Sequence, residues 1–274
     1  MLDWLPLSLP AMLFLCAMVG LAGFVDAAAG GGGLIALPAY MAVGLPMHYV
    51  YGCNKLSSAV GTTFSTARFF KNGALELKVG LAAAAASFLG SALASQVVLL
   101  LPDASLKLIL LVMLPVAAVI ILTRRDLTGP DRPALRQGAG KWWKAAAIGF
   151  FIGSYDGLIG PGTGTFAILA FCMFMGYDLR SASGNAKLLN LASNYASVIT
   201  MVTAGKVLYA VALPAAVLGI IGHLLGSGMA LKKGAKFIRP MMLCVLVLLL
   251  ADRLVAPVFF AVVVGLGDLL PVVA

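Results

Sequence analysis

Along the chain, long apolar runs are separated by short polar or glycine-rich interruptions, and the runs fall into two sets of five. In the first half they cover about 10–29, 33–47, 53–71, 79–101 and 105–123, here segments A to E. In the second half they cover about 145–160, 163–177, 184–203, 207–231 and 237–251, and a last one covers about 255–272. Runs approaching the roughly 20 residues of a membrane crossing predict helices in lipid. Segment C differs from its neighbours in both halves. Asn54, Ser57, Ser58, Thr62 and Ser65 recur at helical spacing in the first, and Lys187, Asn190, Asn194 and Ser197 in the second. Positions i, i+3, i+4 and i+7 share a face, so each C segment carries a polar stripe suited to a cavity and not to lipid.

The two sets align with each other. At an offset of 130 residues, Gly23, Asp26, Gly30 and Gly32 fall on Gly153, Asp156, Gly160 and Gly162. At 132, Gly44, Gly52, Lys55, Leu56, Ser65, Gly73 and Gly90 fall on Gly176, Gly184, Lys187, Leu188, Ser197, Gly205 and Gly222. Glycine matches are common in a chain with 31 glycines, but the matched Asp and Lys are informative because charge is scarce. A polar stretch with two prolines and three glycines divides the halves. The organisation read from this is a first transmembrane repeat (1–123), a basic linker (124–144), and a second repeat with a final helix (145–274).

Composition narrows the class. Of 274 residues, 62% are hydrophobic and 11% charged, and the mean hydropathy is +1.04. A soluble domain is about 45–50% apolar and about 25% charged, and one of this length could not hide so much apolar surface. The fold class expected is an all-α polytopic membrane protein with room for about eight spans. Disorder, nucleic-acid binding and a disulfide-stapled secreted fold are excluded. Cys16, Cys53, Cys172 and Cys244 have no metal or redox spacing and read as small hydrophobes inside helices. The first apolar stretch lacks a charged leader and reads as a permanent span.

The net charge of +9 reads as basic loops facing anionic lipid. With the central linker placed inside, the inner loops hold 14 of the 19 Lys and Arg residues. The outer loops hold Lys107, Lys206 and Arg253, and Lys55 and Lys187 remain within segments. An odd number of crossings per half makes the repeats inverted. That parity holds whether A and B are two spans or one re-entrant hairpin. Inversion also explains why the D–E connection is basic in the second half only.

One glycine-rich break follows segment A in each half: Gly30-Gly31-Gly32-Gly33 and Gly160-Pro161-Gly162-Thr163-Gly164. Glycine and proline disfavour helix, and non-helical backbone at membrane depth is tolerated where it is buried in protein or lines a wet cavity. A short helix starting after each break would aim free N–H groups and its positive end into such a cavity, which suits an anion. Close helix packing through small residues is the alternative. Lys55 and Lys187 are ionisable residues inside apolar segments and therefore functional candidates, with snorkelling to the interface as the alternative. Asp26 and Asp156, just before the breaks, either couple a proton, hydrogen-bond the broken backbone or pair with the lysines. His48 reads as a loop histidine, His223 as a packed neutral one, and Trp142 and Trp143 as an interfacial anchor. Neither break fits a nucleotide-binding loop, no hydrolase or metalloprotease motif is present, and enzymatic chemistry has little to work with.

The residues Gly23-Phe24-Val25-Asp26-Ala27-Ala28-Ala29-Gly30-Gly31-Gly32-Gly33 with Pro38, Gly44-Leu45-Pro46, and Gly52-Cys53-Asn54-Lys55-Leu56 resemble the TauE/SafE sulfite exporter family, also called the toluenesulfonate uptake permeases. So do Gly184-Asn185-Ala186-Lys187-Leu188 and Asn190 to Asn194. The resemblance covers nearly the whole chain. Where Cys53 stands, the family pattern often has Thr. The resemblance implies a multi-pass permease of the bacterial inner membrane for sulfur-containing or organic anions, with neither substrate nor direction fixed.

The site expected has Gly31, Gly32, Gly33, Gly162, Thr163 and Gly164 offering backbone amides to a small oxyanion. Lys55 and Lys187 would supply positive charge, and Asn54, Ser58, Thr62, Asn190 and Asn194 hydrogen bonds, with Asp26 and Asp156 in a structural or proton-coupling role. No cofactor, metal or nucleic acid is expected, the partners being the anionic substrate and the bilayer; a homo-oligomer stays open. Alternating access of the two repeats is the mechanism expected. An anion channel and a non-transporting scaffold are the rival readings.

Overall fold

A computed structural model of the chain describes residues 7–109, 131–158, 160–238, 240, 241 and 244. Among the described residues regular structure is helical, with no strand. The first half contains α1 (Leu9–Ala29), α2 (Gly33–Ala42), α3 (Met47–Lys71) and α4 (Leu77–Leu100). The second contains α5 (Gly140–Leu158), α6 (Thr163–Met175), α7 (Leu179–Thr203) and α8 (Tyr209–Lys233). Each half therefore runs long, short, long, long. Residues 103–109 are also helical. Nearly all of segment E, most of its counterpart and the final segment lie outside the described residues.

Local chemistry sets the ends. Pro10 occupies the first turn of α1, where its missing N–H costs nothing. The helix stops at Gly30, whose φ of 83° is left-handed and favours glycine. Gly160, its counterpart after α5, is left-handed at φ 89°, and Gly162, at φ 78°, is the N-cap of α6. Asp178 caps α7 by accepting from the Ser181 N–H. Asp103 does this for α3 from a distance, accepting from the Met47 N–H at 3.1 Å. Its other oxygen lies 2.8 Å from His48 Nδ1, so His48 is held in the first turn of α3 and not free in a loop.

The third helices start earlier than the apolar pattern indicates. α3 begins at Met47 and α7 at Leu179, against expected starts near 53 and 184. The added turns hold polar or aromatic residues (His48, Tyr49, Arg180, Ser181) that lower local hydropathy without breaking a helix. Lys55 and Lys187 consequently sit two turns inside their helices.

Among the described residues, three helices are long and apolar enough to cross a membrane: α1, α4 and α8. The polar stripes keep α3 and α7 out of that set despite 25 residues each. With 10 and 13 residues, α2 and α6 reach only about 15 and 20 Å, short of the roughly 30 Å of a hydrocarbon core. The outward faces of the long helices are leucine-rich: Leu13, Leu93 and Leu225 are 61%, 62% and 60% exposed. A face of that kind is suited to lipid.

The halves interlock. α1 packs along α8, α5 along α4, and α3 and α7 cross between these pairs. Small residues let the backbones approach. A Cβ on Gly222 would lie 1.9 Å from the Gly20 carbonyl oxygen, and one on Gly90 would lie 2.4 Å from that of Phe150. The described end of the linker folds back onto the α6–α7 turn. Arg132 N–H donates to the Gly176 carbonyl at 2.7 Å. Arg136 forks onto Asp131 at 2.7 Å and lies over the Tyr177 ring. The hydrogen bonds from that guanidinium hold the Asp131 carboxyl below the usual carboxylate range.

Candidate functional site

Asp26 and Asp156 occupy the last turns of α1 and α5, immediately before the breaks. Lys55 and Lys187 point at them from α3 and α7, but each lysine takes the aspartate of the other half. Lys55 Nζ donates to Asp156 Oδ2 and to the Asp156 carbonyl, both at 2.6 Å. Lys187 Nζ donates to Asp26 Oδ2 at 2.7 Å and to the Asp26 carbonyl. Each ammonium thus meets a carboxylate and a backbone carbonyl in the last turn of a helix, where positive charge is favoured. Both lysines are buried, and the two pairs together carry no net charge.

The breaks meet between the pairs. Gly164 N–H donates to the Gly30 carbonyl at 3.1 Å, and Thr165 Oγ1 donates to the Ala29 carbonyl at 2.6 Å. Gly33 lies against Pro161. Gly32 N–H points at Asp26 Oδ1 at 3.4 Å. In the second break, Thr163 N–H and Oγ1 both donate to the Gly160 carbonyl, and Tyr155 Oη donates to that of Pro161. The expected open cradle of amides is therefore partly closed in this state. The N–H groups of Gly32, Thr163 and Gly164 have protein acceptors, and both lysines have counter-charges. Gly31 and Gly162 are buried within the breaks.

The environments of the two aspartates differ. Asp156 is sealed: Ser193 Oγ donates to its Oδ2 at 2.6 Å, and Ser91 Oγ donates to the Ser193 carbonyl at 2.8 Å. Ser91 and Ser95 both bond to Ser197 behind it. Asp26 instead borders a small cavity of about 20 Å³, room for about one water, whose lining includes Gly32, Ser57, Ser58, Gly219 and His223. The side chain of Asp26 is 16% exposed, that of Asp156 4%. At the offset of 132, Ser193 corresponds to Gly61 and Ser91 to His223. A Cβ on Gly61 would lie 2.3 Å from the His223 ring, so the histidine occupies space that a second serine would need. His223 Nδ1 lies 3.2 Å from Ser65 Oγ, as Ser91 bonds Ser197 on the other side.

The remaining candidates lie along the stripes. Ser58 lines the cavity. Asn54 and Thr62 are buried, and Asn54 Oδ1 and Thr62 Oγ1 have no hydrogen-bond partner among the described residues. Such orphans are costly and call for an account. Asn194 Nδ2 donates to Asn190 Oδ1 at 3.2 Å, so these two engage each other. Cys53 Sγ accepts from Leu208 N–H at 3.4 Å and tethers α3 to the start of α8. Sequence reasoning missed His223, Gly61 and Ser193 as members of this site. Their signal was the departure from the repeat at those positions, not any motif.

The chain is similar to known membrane transporters. The chain is 34% identical over 234 residues to the probable membrane transporter protein YfcA of Escherichia coli K12, covering 85% of each chain. It is 33% identical over 252 residues to the probable membrane transporter protein ORF9 of a Sinorhizobium species, covering 92% of this chain and 94% of that one. A probable membrane transporter protein of Haemophilus influenzae is 33% identical over 235 residues, 86% of this chain and 90% of its own. No solved structure matches the chain. The sulfite exporter TauE/SafE family profile matches residues 15–252, and the chain belongs to that family.

Proposed function

We propose that this membrane transporter moves a small anion, a sulfur oxyanion or organosulfonate such as sulfite, across the bacterial inner membrane. Two inverted repeats alternate access to one site at the meeting point of the breaks. The observation that carries the reading is the crossed set of Lys–Asp pairs. Two buried ammonium groups meet the ends of α1 and α5 where the backbone breaks, and α3 carries an unpartnered hydroxyl, Thr62 Oγ1, as a further donor. Asp26, Gly32 and Ser58 line the cavity, and Lys187 stands behind Asp26. Lys55, Asn54, Thr62, Asn190 and Asn194 lie on the stripes beside it.

The short α2 and α6 support a re-entrant hairpin in each half, since a helix of their length returns only part way through the bilayer. The basic linker sits on the cytoplasmic side in this reading, with Trp143 at the interface, 81% exposed. The test is counterflow of radiolabelled sulfite in proteoliposomes, with sulfate, methanesulfonate and acetate as competitors. Saturable exchange that Lys187→Ala reduces at least tenfold supports the reading. Unsaturable conductance makes the protein a channel, and absence of flux for every anion removes the assignment.

A further inference from the structure

Asp26 borders the small cavity, and its two carboxylate oxygens each face a donor. Oδ2 takes Lys187 Nζ at 2.7 Å, and Oδ1 faces Gly32 N–H at 3.4 Å. An oxyanion arriving through the cavity needs these same donors, since one ammonium and one helix-start amide are what a small oxyanion recognises there. We propose that Asp26 is a built-in stand-in for the transported anion. The substrate displaces it from Lys187 and Gly32, and the freed carboxylate takes up one proton, so that proton and anion travel together. This rests on the anion reading above and specifies its coupling.

The charge argument is direct. With an oxyanion on Lys187, an ionised Asp26 would leave two negative charges against one positive in a low-dielectric site, which burial disfavours. A proton on one Asp26 oxygen, forming an O–H bond with no other bond broken, restores neutrality. The neutral acid can then donate a hydrogen bond to the anion that replaced it. The titratable groups facing Asp26 are Lys187 from α7 and His223 from α8. α2 and α3 offer Gly32 N–H and the hydroxyls of Ser57 and Ser58 to the same space. Arg68, from α3, binds the Leu224 carbonyl next to His223.

The twin pair does not share the property. Asp156 is held by Ser193 as well as Lys55, its side chain is 4% exposed, and a serine stands where His223 stands on the open side. The Lys187–Asp26 pair is the exchangeable one, and the Lys55–Asp156 pair stays closed as the structural clamp.

The experiment uses the full chain in detergent with methanesulfonate, which does not titrate near neutral pH. Calorimetry in two buffers of different ionisation enthalpy reads the protons taken up with each anion and needs no variant. About one proton per anion is expected, with affinity rising about tenfold for each unit the pH falls. In Asp26→Asn, the uptake should vanish and affinity should become independent of pH. Asp156→Asn should keep the wild-type slope wherever it folds. Anion binding to wild type with no proton uptake overturns the inference and leaves the anion reading standing. So does a slope that survives in Asp26→Asn or disappears in Asp156→Asn. Absence of binding by methanesulfonate, sulfate and sulfite at every pH removes both.

Discussion

Gly30 and Gly164 touch backbone to backbone, with the Gly164 N–H donating to the Gly30 carbonyl at 3.1 Å. A Cβ on Gly30 would lie 2.2 Å from the Gly164 backbone, and its φ of 83° disfavours any other residue. Gly30→Ala should therefore cost at least about 1–3 kcal/mol from overpacking. Gly140→Ala, with nothing within 4 Å of the new methyl, should stay within about 0.5 kcal/mol. Thermal melting of the purified variants reads the difference; equal midpoints would remove the contact from the account of the core.

Lys55 and Asp156 form a fully buried pair, so the order of removal matters. Lys55→Met alone strands a buried carboxylate and should cost about 3–5 kcal/mol. Lys55→Met combined with Asp156→Leu removes both charges and should recover much of that loss. A double-mutant cycle on thermal stability checks this, and additive single effects would show that the pair is not coupled.

Gly61 and His223 keep the cavity beside Asp26 open. The double change Gly61→Ser with His223→Ser installs the groups that seal the opposite side. It should preserve the melting temperature to within a few degrees and abolish counterflow. Gly61→Ser alone should destabilise, because the new side chain meets the imidazole ring 2.3 Å away. Wild-type flux in the double variant would mean that substrate enters elsewhere.

Lys71 and Thr203 end α3 and α7 at corresponding positions, and both are exposed. Inverted repeats place them on opposite faces of the membrane. In a background with all four native cysteines replaced by serine, Thr203→Cys should react with an impermeant maleimide from outside intact spheroplasts. Lys71→Cys should react only after permeabilisation. Equal labelling of both from one side would show that the repeats run parallel.

The sequence carried the helix order, the matched Asp and Lys, and the polar stripes on α3 and α7. These are local or periodic signals. An offset of 132 says that Lys55 and Lys187 are equivalent, but not whether each meets its own aspartate or the other's. That choice is made by the interlocking of α1 with α8 and α4 with α5, which no periodicity encodes. The partial closure of the amide cradle is illegible for the same reason: each break reads as a separate helix start, whereas in the fold the breaks supply part of each other's hydrogen bonding. His223 escaped notice because a lone histidine in an apolar helix reads as packing. Its meaning emerges only beside Gly61, whose missing side chain makes room for it.

Exchange of partners between the halves has a consequence for biogenesis. When the first half leaves the ribosome, Asp26 and Lys55 have no counterpart to neutralise them, because both counterparts lie more than 100 residues downstream. Insertion of that half alone leaves Asp26 and Lys55 in or near lipid without the partners they hold in the folded protein. The crossed pairs form only after α5 and α7 have been translated, which makes the two halves one folding unit.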